Sequence, residues 1–265
     1  MILAGRTRQI RRSRMTKIPE ISLDDLWESA PKSDRPFHPE SLINLPNLAR
    51  RYLENAIAPG TPLASAVRLW MHGEIKLDQK WHPFKGEEVI YGHRGMIWRA
   101  TTWAKGLPIW GGDRIVDGVG ESQWKILGLF PVVQASGADI TRSSVGRVQV
   151  ESILLPSILC NPDISWTELN ASQVQANFTA FGEPAKLTLT VNDRGILEQA
   201  KIDRWGNPEG KAFHYVDFGG IFEDSSTFDG YTIPTRLRVG WFFGSDRFES
   251  EGEFFRCAID KAIYQ

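Results

Sequence analysis

Between residues 64 and 259, apolar side chains repeatedly fall at every second position, in short runs broken by glycine-containing turns. This period is the strongest constraint on the fold, because a spacing of two lines up one face of a strand and never one face of a helix. Val174, Ala176, Phe178 and Ala180 alternate with Gln175, Asn177 and Thr179, and Leu187, Leu189 and Val191 obey the same rule. Asn192, Asp193, Arg194 and Gly195 then turn the chain into residues 196–204, which predicts a hairpin. Upstream, residues 64–77, 87–92, 96–103, 109–117 and 122–129 are rich in Val, Ile, Trp and Thr. They are separated by Lys85-Gly86, residues 93–95, Lys105-Gly106 and residues 118–120. Residues 212–218, 231–243 and 247–259 bring the expectation to about eleven strands.

Three segments keep a helical period instead. Leu48, Tyr52, Leu53 and Ile57 recur at three- and four-residue steps behind Pro46, and Pro59-Gly60 stops them. Mid-chain, Asp139 stands where it would cap a run over 140–155, in which Val145, Val148, Ser152 and Leu155 share a stripe; Pro156 and Pro162 close it. A weaker amphipathic piece, residues 21–30, places Leu23, Leu26 and Trp27 behind Ser22. The alternation of strand and helix that builds a doubly wound sheet is missing, and long antiparallel sheets curl. The expected fold is therefore mainly β (α+β): a curved antiparallel half-barrel with an N-terminal helix and a helix inserted mid-chain. No repeat, low-complexity segment or linker divides the chain after residue 40, so residues 36–265 are read as a single domain behind a basic, disordered tail over 1–35.

That tail holds Arg6, Arg8, Arg11, Arg12, Arg14 and Lys17, and translation has two available starts, Met1 and Met15. The chain as a whole carries a formal net charge of −1, which offers no field for nucleic acid. No apolar stretch is long enough for a transmembrane segment and no leader signal is visible, so a cytoplasmic location is expected. Cys160 and Cys257 are too few and too far apart for a disulfide framework or a cysteine metal site. His72, His82, His93 and His214 lack metal-ligand spacing, no serine sits in a nucleophile elbow, and no glycine run has the phosphate-loop pattern. The expectation is no metal, no cofactor and no nucleotide.

The stretches DRIVDGVG (113–120), LGLFPVV (127–133), GRVQVES (146–152), RWG (204–206) and FDGYTIP (228–234), followed by Trp241, resemble a bacterial family catalogued as a domain of unknown function. The resemblance runs from about Leu45 to the C-terminus. The order of elements is also similar to the lipoprotein carriers of the LolA and LolB type, half-barrels that hold acyl chains, and this implies a ligand cavity by analogy. The carriers' secretion signal and lipidation-type cysteine have no counterpart near this chain's start, which speaks against lipoprotein transport.

Two features suggest where a ligand would sit. The chain has ten tryptophans, and Trp98, Trp110, Trp124 and Trp241 all lie in predicted strands, where such rings either pack a core or line an apolar cavity. Arg147 and Glu151 stand four apart in the central helix, with Val148 and Leu155 bordering the carboxylate. That pair reads either as a structural ion pair or as a site in which Glu151 is a general acid or base or an anchor. Arg204 and Tyr231 complete the candidate binding set. Asp113 or Tyr231 would assist an enzyme, and Arg236 and Arg238 share one face of a strand opposite Leu237, Val239 and Trp241. The first expectation is a protein that binds a hydrophobic small molecule or lipid between sheet and helix. The alternatives are an enzyme built on Glu151 and a partner-binding module with an exposed apolar patch.

Overall fold

The structure, a computed structural model, describes residues 21–265. The basic run at 6–17 and both candidate starts lie outside the described residues.

The described chain opens with α1 (Leu23–Glu28) and α2 (Asn47–Ala56), then six strands step outward in order: β1 (Ala66–Leu77), β2 (Lys80–Tyr91), β3 (Gly95–Ala104), β4 (Leu107–Val116), β5 (Val119–Ile126) and β6 (Phe130–Ser136). After α3 (Ala138–Glu151), seven more step back inward: β7 (Ser165–Glu168), β8 (Gln173–Ala180), β9 (Glu183–Val191), β10 (Leu197–Gly206), β11 (His214–Phe228), β12 (Tyr231–Trp241) and β13 (Glu253–Tyr264). All thirteen form one antiparallel sheet in which β1 pairs with β13, leaving β6 and β7 as opposite edges. The segment between those edges must cross one face of the sheet. That segment is α3, followed by two 3₁₀ turns at Ser152–Leu154 and Pro156–Cys160. The mainly β fold with a mid-chain helix is as the sequence predicts.

Strand alternation sends two separate apolar sets to opposite faces. On the face crossed by α3, Leu69, Ile90, Met96, Trp98 and Ile115 join the main core with α2 and α3. On the other face Val89, Tyr91, Ile97 and Val116 pack under Leu23 and Leu26 of α1. α1 forms because Ser22 and Asp25 make a reciprocal capping box at its first turn, and Arg68 ties it to the sheet through Asp24. Residues 21–35 therefore do not belong to a solvated tail: burial of Leu23, Leu26 and Ala30 holds them on the sheet.

The hairpin of β9 and β10 forms at the expected turn, where Asn192 Oδ1 accepts from the amides of Arg194 and Ile196, and Gly195 takes a φ of 82°. Three expectations are corrected. The count of about eleven strands misses the two edges, because Pro131 and a glycine-flanked start obscure β6 and because β7 is only four residues long; proline is tolerated on an edge, where one side of the ladder is unpaired. The central helix ends at Glu151 and tightens into a 3₁₀ turn, and Asp139 does not cap it; its carboxylate accepts instead from Trp205 Nε1 at 2.9 Å. Residues 248–252 form a helical turn before β13 rather than the start of a strand.

Tyr231 is a clamp in this frame. Its hydroxyl donates to the Pro62 carbonyl and accepts from the Ala64 amide, both at 2.7 Å, and its ring stacks on Tyr264. Removing the hydroxyl strands two backbone groups beside a side chain that is 1% exposed. Tyr231→Phe is expected to lower stability by about 1–3 kcal/mol in denaturant unfolding, and a loss within error of zero would show that water replaces the hydroxyl.

Candidate functional site

The passage of α3 over the sheet leaves a cavity of about 720 Å³ between them. Its wall is mostly apolar, with Met71, Ile75, Phe222, Leu237, Val239 and Phe254 contributed by β1, β11, β12 and β13. Arg147 and Glu151 come from α3, Glu88 from β2, Asp113 from β4 and Arg204 from β10, and all five line the same space.

Arg147 is fully engaged. Its Nε donates to Glu151 at 2.6 Å, one terminal nitrogen to Asp113 at 3.1 Å and the other to Glu88 at 2.9 Å. The guanidinium also lies 5.1 Å from the centroid of Trp98, which meets Trp124, Phe84 and Phe255 edge to face. Asp113 accepts a second hydrogen bond from Ser122 Oγ at 2.6 Å. Glu151 uses one oxygen for Arg147, while its Oε2 is buried with no partner among the described residues.

Burial decides the charges. Glu88 is 2% exposed, and its desolvation together with the nearby Glu151 pushes its carboxyl up to about 8 despite Arg147. Burial also raises Glu151 above the ordinary carboxylate range, against the pull of Arg147 and Arg204. With Glu88 protonated at neutral pH, the cluster carries less negative charge beside Arg147. Arg204 is lowered to about 10 by burial and by Arg147, so it stays cationic.

Trp98, Trp124, Trp241, Arg147, Glu151 and Arg204 meet at the cavity as the sequence reading groups them. Two members of that reading do not. Tyr231 is the clamp described above, at a distance from the cavity wall, and so cannot assist Glu151. Trp110 points outward, 46% exposed with its ring against Gly128. It belongs to a group of exposed apolar side chains at the β3–β4 and β5–β6 turns that includes Trp103, Leu107, Leu129 and Phe130. Arg236 and Arg238 also face away, paired with Asp224, Glu249 and Glu253, while Leu237, Val239 and Trp241 face inward. The sequence reading misses Glu88. Its signal was available, since Glu88 falls in phase with Phe84 and Ile90, on the apolar side of its strand.

Four of the stretches behind the family resemblance reach this one place. Asp113 comes from the first, Val132 and Val133 from LGLFPVV, Gly146, Arg147 and Glu151 from GRVQVES, and Arg204 and Gly206 from RWG, while Trp241 follows the last stretch. The family model described as "Family of unknown function (DUF6920)" matches residues 43–264. No curated protein matches the chain. Among solved structures, a LolA superfamily protein from Nitrosomonas europaea is similar at 11% identity and a TM-score of 0.43, covering 82% of this chain and 92% of its own. A structure described as an outer membrane lipoprotein-sorting protein domain, from Vibrio parahaemolyticus, is similar at 7% identity and a TM-score of 0.38, over 76% and 86% of the two chains. A DUF1329 family protein from Desulfovibrio piger gives 12% identity and a TM-score of 0.37, over 83% and 91%. The cytoplasmic location expected above is withdrawn: it rested only on the absence of a leader signal and of a long apolar stretch, and the similar structures include one described as an outer membrane lipoprotein-sorting protein domain. Among the described residues, no helix is long and apolar enough to cross a membrane.

The Glu88 carboxyl supplies a direct check on the cluster. Its folded value, about 8, lies above the ordinary 4.5, so the unfolded chain releases this proton first and folding loses stability as pH rises between those values. Glu88→Gln mimics the protonated acid. The variant should match the wild type near about pH 5 and exceed it by about 1–3 kcal/mol near about pH 9 in denaturant unfolding. An offset that is constant across that range would mean that Glu88 is already ionised in the fold.

Proposed function

This chain belongs to the DUF6920 family of unknown function, and we propose that it binds a hydrophobic small molecule or lipid in the cavity between its curved sheet and α3. The observation that carries this reading is the cavity itself: about 720 Å³ of space with a largely apolar wall and a few convergent polar groups at one part of it. Protein interiors close up around voids unless something holds them open. Here the walls are strands of one continuous sheet, and α3 is held over them by the Arg147 contacts to Glu88 and Asp113 together with its packed Val145 and Val148. A space of this size suits a single extended or folded amphiphile.

The reading is tested by solvent extraction of the purified protein with mass spectrometry, and by titration with a fluorescent apolar dye. Val239→Trp places a large ring on the cavity wall and should weaken dye binding by about tenfold or more while circular dichroism stays unchanged. Dye affinity unaffected by the filled cavity, with no compound recovered on extraction, would remove the proposal.

One observation favours a second reading, an enzyme that uses Glu151 on a small apolar substrate. The unpartnered Oε2 and a carboxyl raised by burial are what a general acid needs. Glu151→Gln separates the two: turnover of a substrate would fall by about two orders of magnitude or more, whereas affinity for a neutral ligand would change little.

A further inference from the structure

Two arginines stand on the cavity wall and are treated very differently. Arg147 spends all three guanidinium nitrogens on carboxylates. Arg204 makes one hydrogen bond, from Nε to the Ser143 carbonyl at 3.0 Å, and no ion pair is formed with it among the described residues. Its terminal nitrogens have no hydrogen-bond partner there, yet they are not among the buried atoms left unsatisfied, so they keep surface open to the cavity that Arg204 lines. Five donors in a fork, with one of them used, are an uncommon thing to leave on an apolar wall.

The surroundings hold this guanidinium in place. Its carbon lies 4.5 Å from the Phe218 ring centroid and 5.0 Å from that of Trp241, so it rests against two aromatic rings that themselves meet edge to face. Its stem runs against Gly146 in the interior of α3, where a Cβ would come 2.8 Å from Arg204 Cγ. Glycine weakens a helix interior, and this close approach is the reason it is tolerated. Gly206, two residues beyond Arg204, gives the same clearance to the Trp241 ring. The aromatic pair, the two glycines and the Ser143 carbonyl fix where the free donors lie and fill none of them.

We propose that Arg204 anchors the anionic head of the ligand, so that the cavity takes an amphiphile with one carboxylate or phosphate at the end of an apolar tail. The inference rests on the cavity reading above and adds the chemistry of the head group. A planar fork with free terminal donors matches either oxyanion in two parallel hydrogen bonds, and the cavity's apolar wall takes the tail. Arg147 cannot serve in its place, because each of its three nitrogens already donates to a carboxyl group of Glu151, Asp113 or Glu88.

The test uses three probes with the same tail, dodecanoate, dodecyl phosphate and dodecanol, each displacing a bound apolar dye from the full chain. The wild type should bind at least one of the two anions about tenfold or more tightly than the alcohol; which anion leads identifies the head group. Arg204→Gln should erase that preference while dodecanol affinity stays within about twofold. Arg204→Lys keeps the charge without the fork and should retain part of the preference, which guards against a glutamine variant that folds poorly. Equal binding of anion and alcohol by the wild type, or a preference that survives in Arg204→Gln, overturns the anchor and leaves the cavity reading standing. Failure of the dye and of all three probes to bind overturns both.

Discussion

Arg147 ties α3 to the first half of the sheet, through Glu88 on β2 and Asp113 on β4, at the point where the helix passes over the concave face. The second half is tied by different contacts: Arg204 to the Ser143 carbonyl, Trp205 to Asp139, and Gln149 and Arg142 to Glu183. α3 thus bridges two meanders whose strands, among the described residues, pair with each other at β1 and β13. Polar contacts of fixed length set the helix at a distance from the sheet. The space beneath remains beside the packed Val145 and Val148 because these struts have defined geometry.

Such a strut is not a source of great stability. Removing charge from water costs more than a pair usually returns, and three carboxylates around one guanidinium would leave an excess of negative charge in a dry place. Protonation of Glu88 relieves that excess, since the neutral acid still accepts from Arg147. What the cluster supplies is position. Outside the barrel the contrast is plain: Glu253, pushed upward by burial but held more strongly by Arg238 and Arg256, sits at about 2 and stays ionised. Two guanidiniums for one carboxylate on the outer face and three carboxylates for one guanidinium inside give opposite outcomes for the same type of side chain.

The interior that results is asymmetric. One wall is aliphatic and aromatic; the other holds the Arg147 cluster and, separately, an arginine with donors to spare. A ligand that satisfied both would be apolar along most of its length and charged at one end, which is why cavity and head-group anchor belong to a single reading of the site.

Local pattern was enough for the alternation of β8 to β10, the Asn192–Gly195 turn, the α2 stripe behind Pro46 and the short helix behind Ser22, because each depends on neighbours within a few residues. It also paired Arg147 with Glu151, since four residues make one helical turn. It did not reveal the edge strands, whose assignment comes from pairing and not from their own composition. Nor did it reveal Glu88, a carboxylate that is acidic by sequence and neutral by burial, or the separation of Tyr231 from the site. Arg147 and Arg204 look alike as residues in a sequence. Sequence by itself determined that this chain alternates, curls and carries a helix across its middle; only the tertiary structure decided which arginine is consumed and which is free, because that depends on strands 34 and 59 residues from Arg147 being brought to one helix.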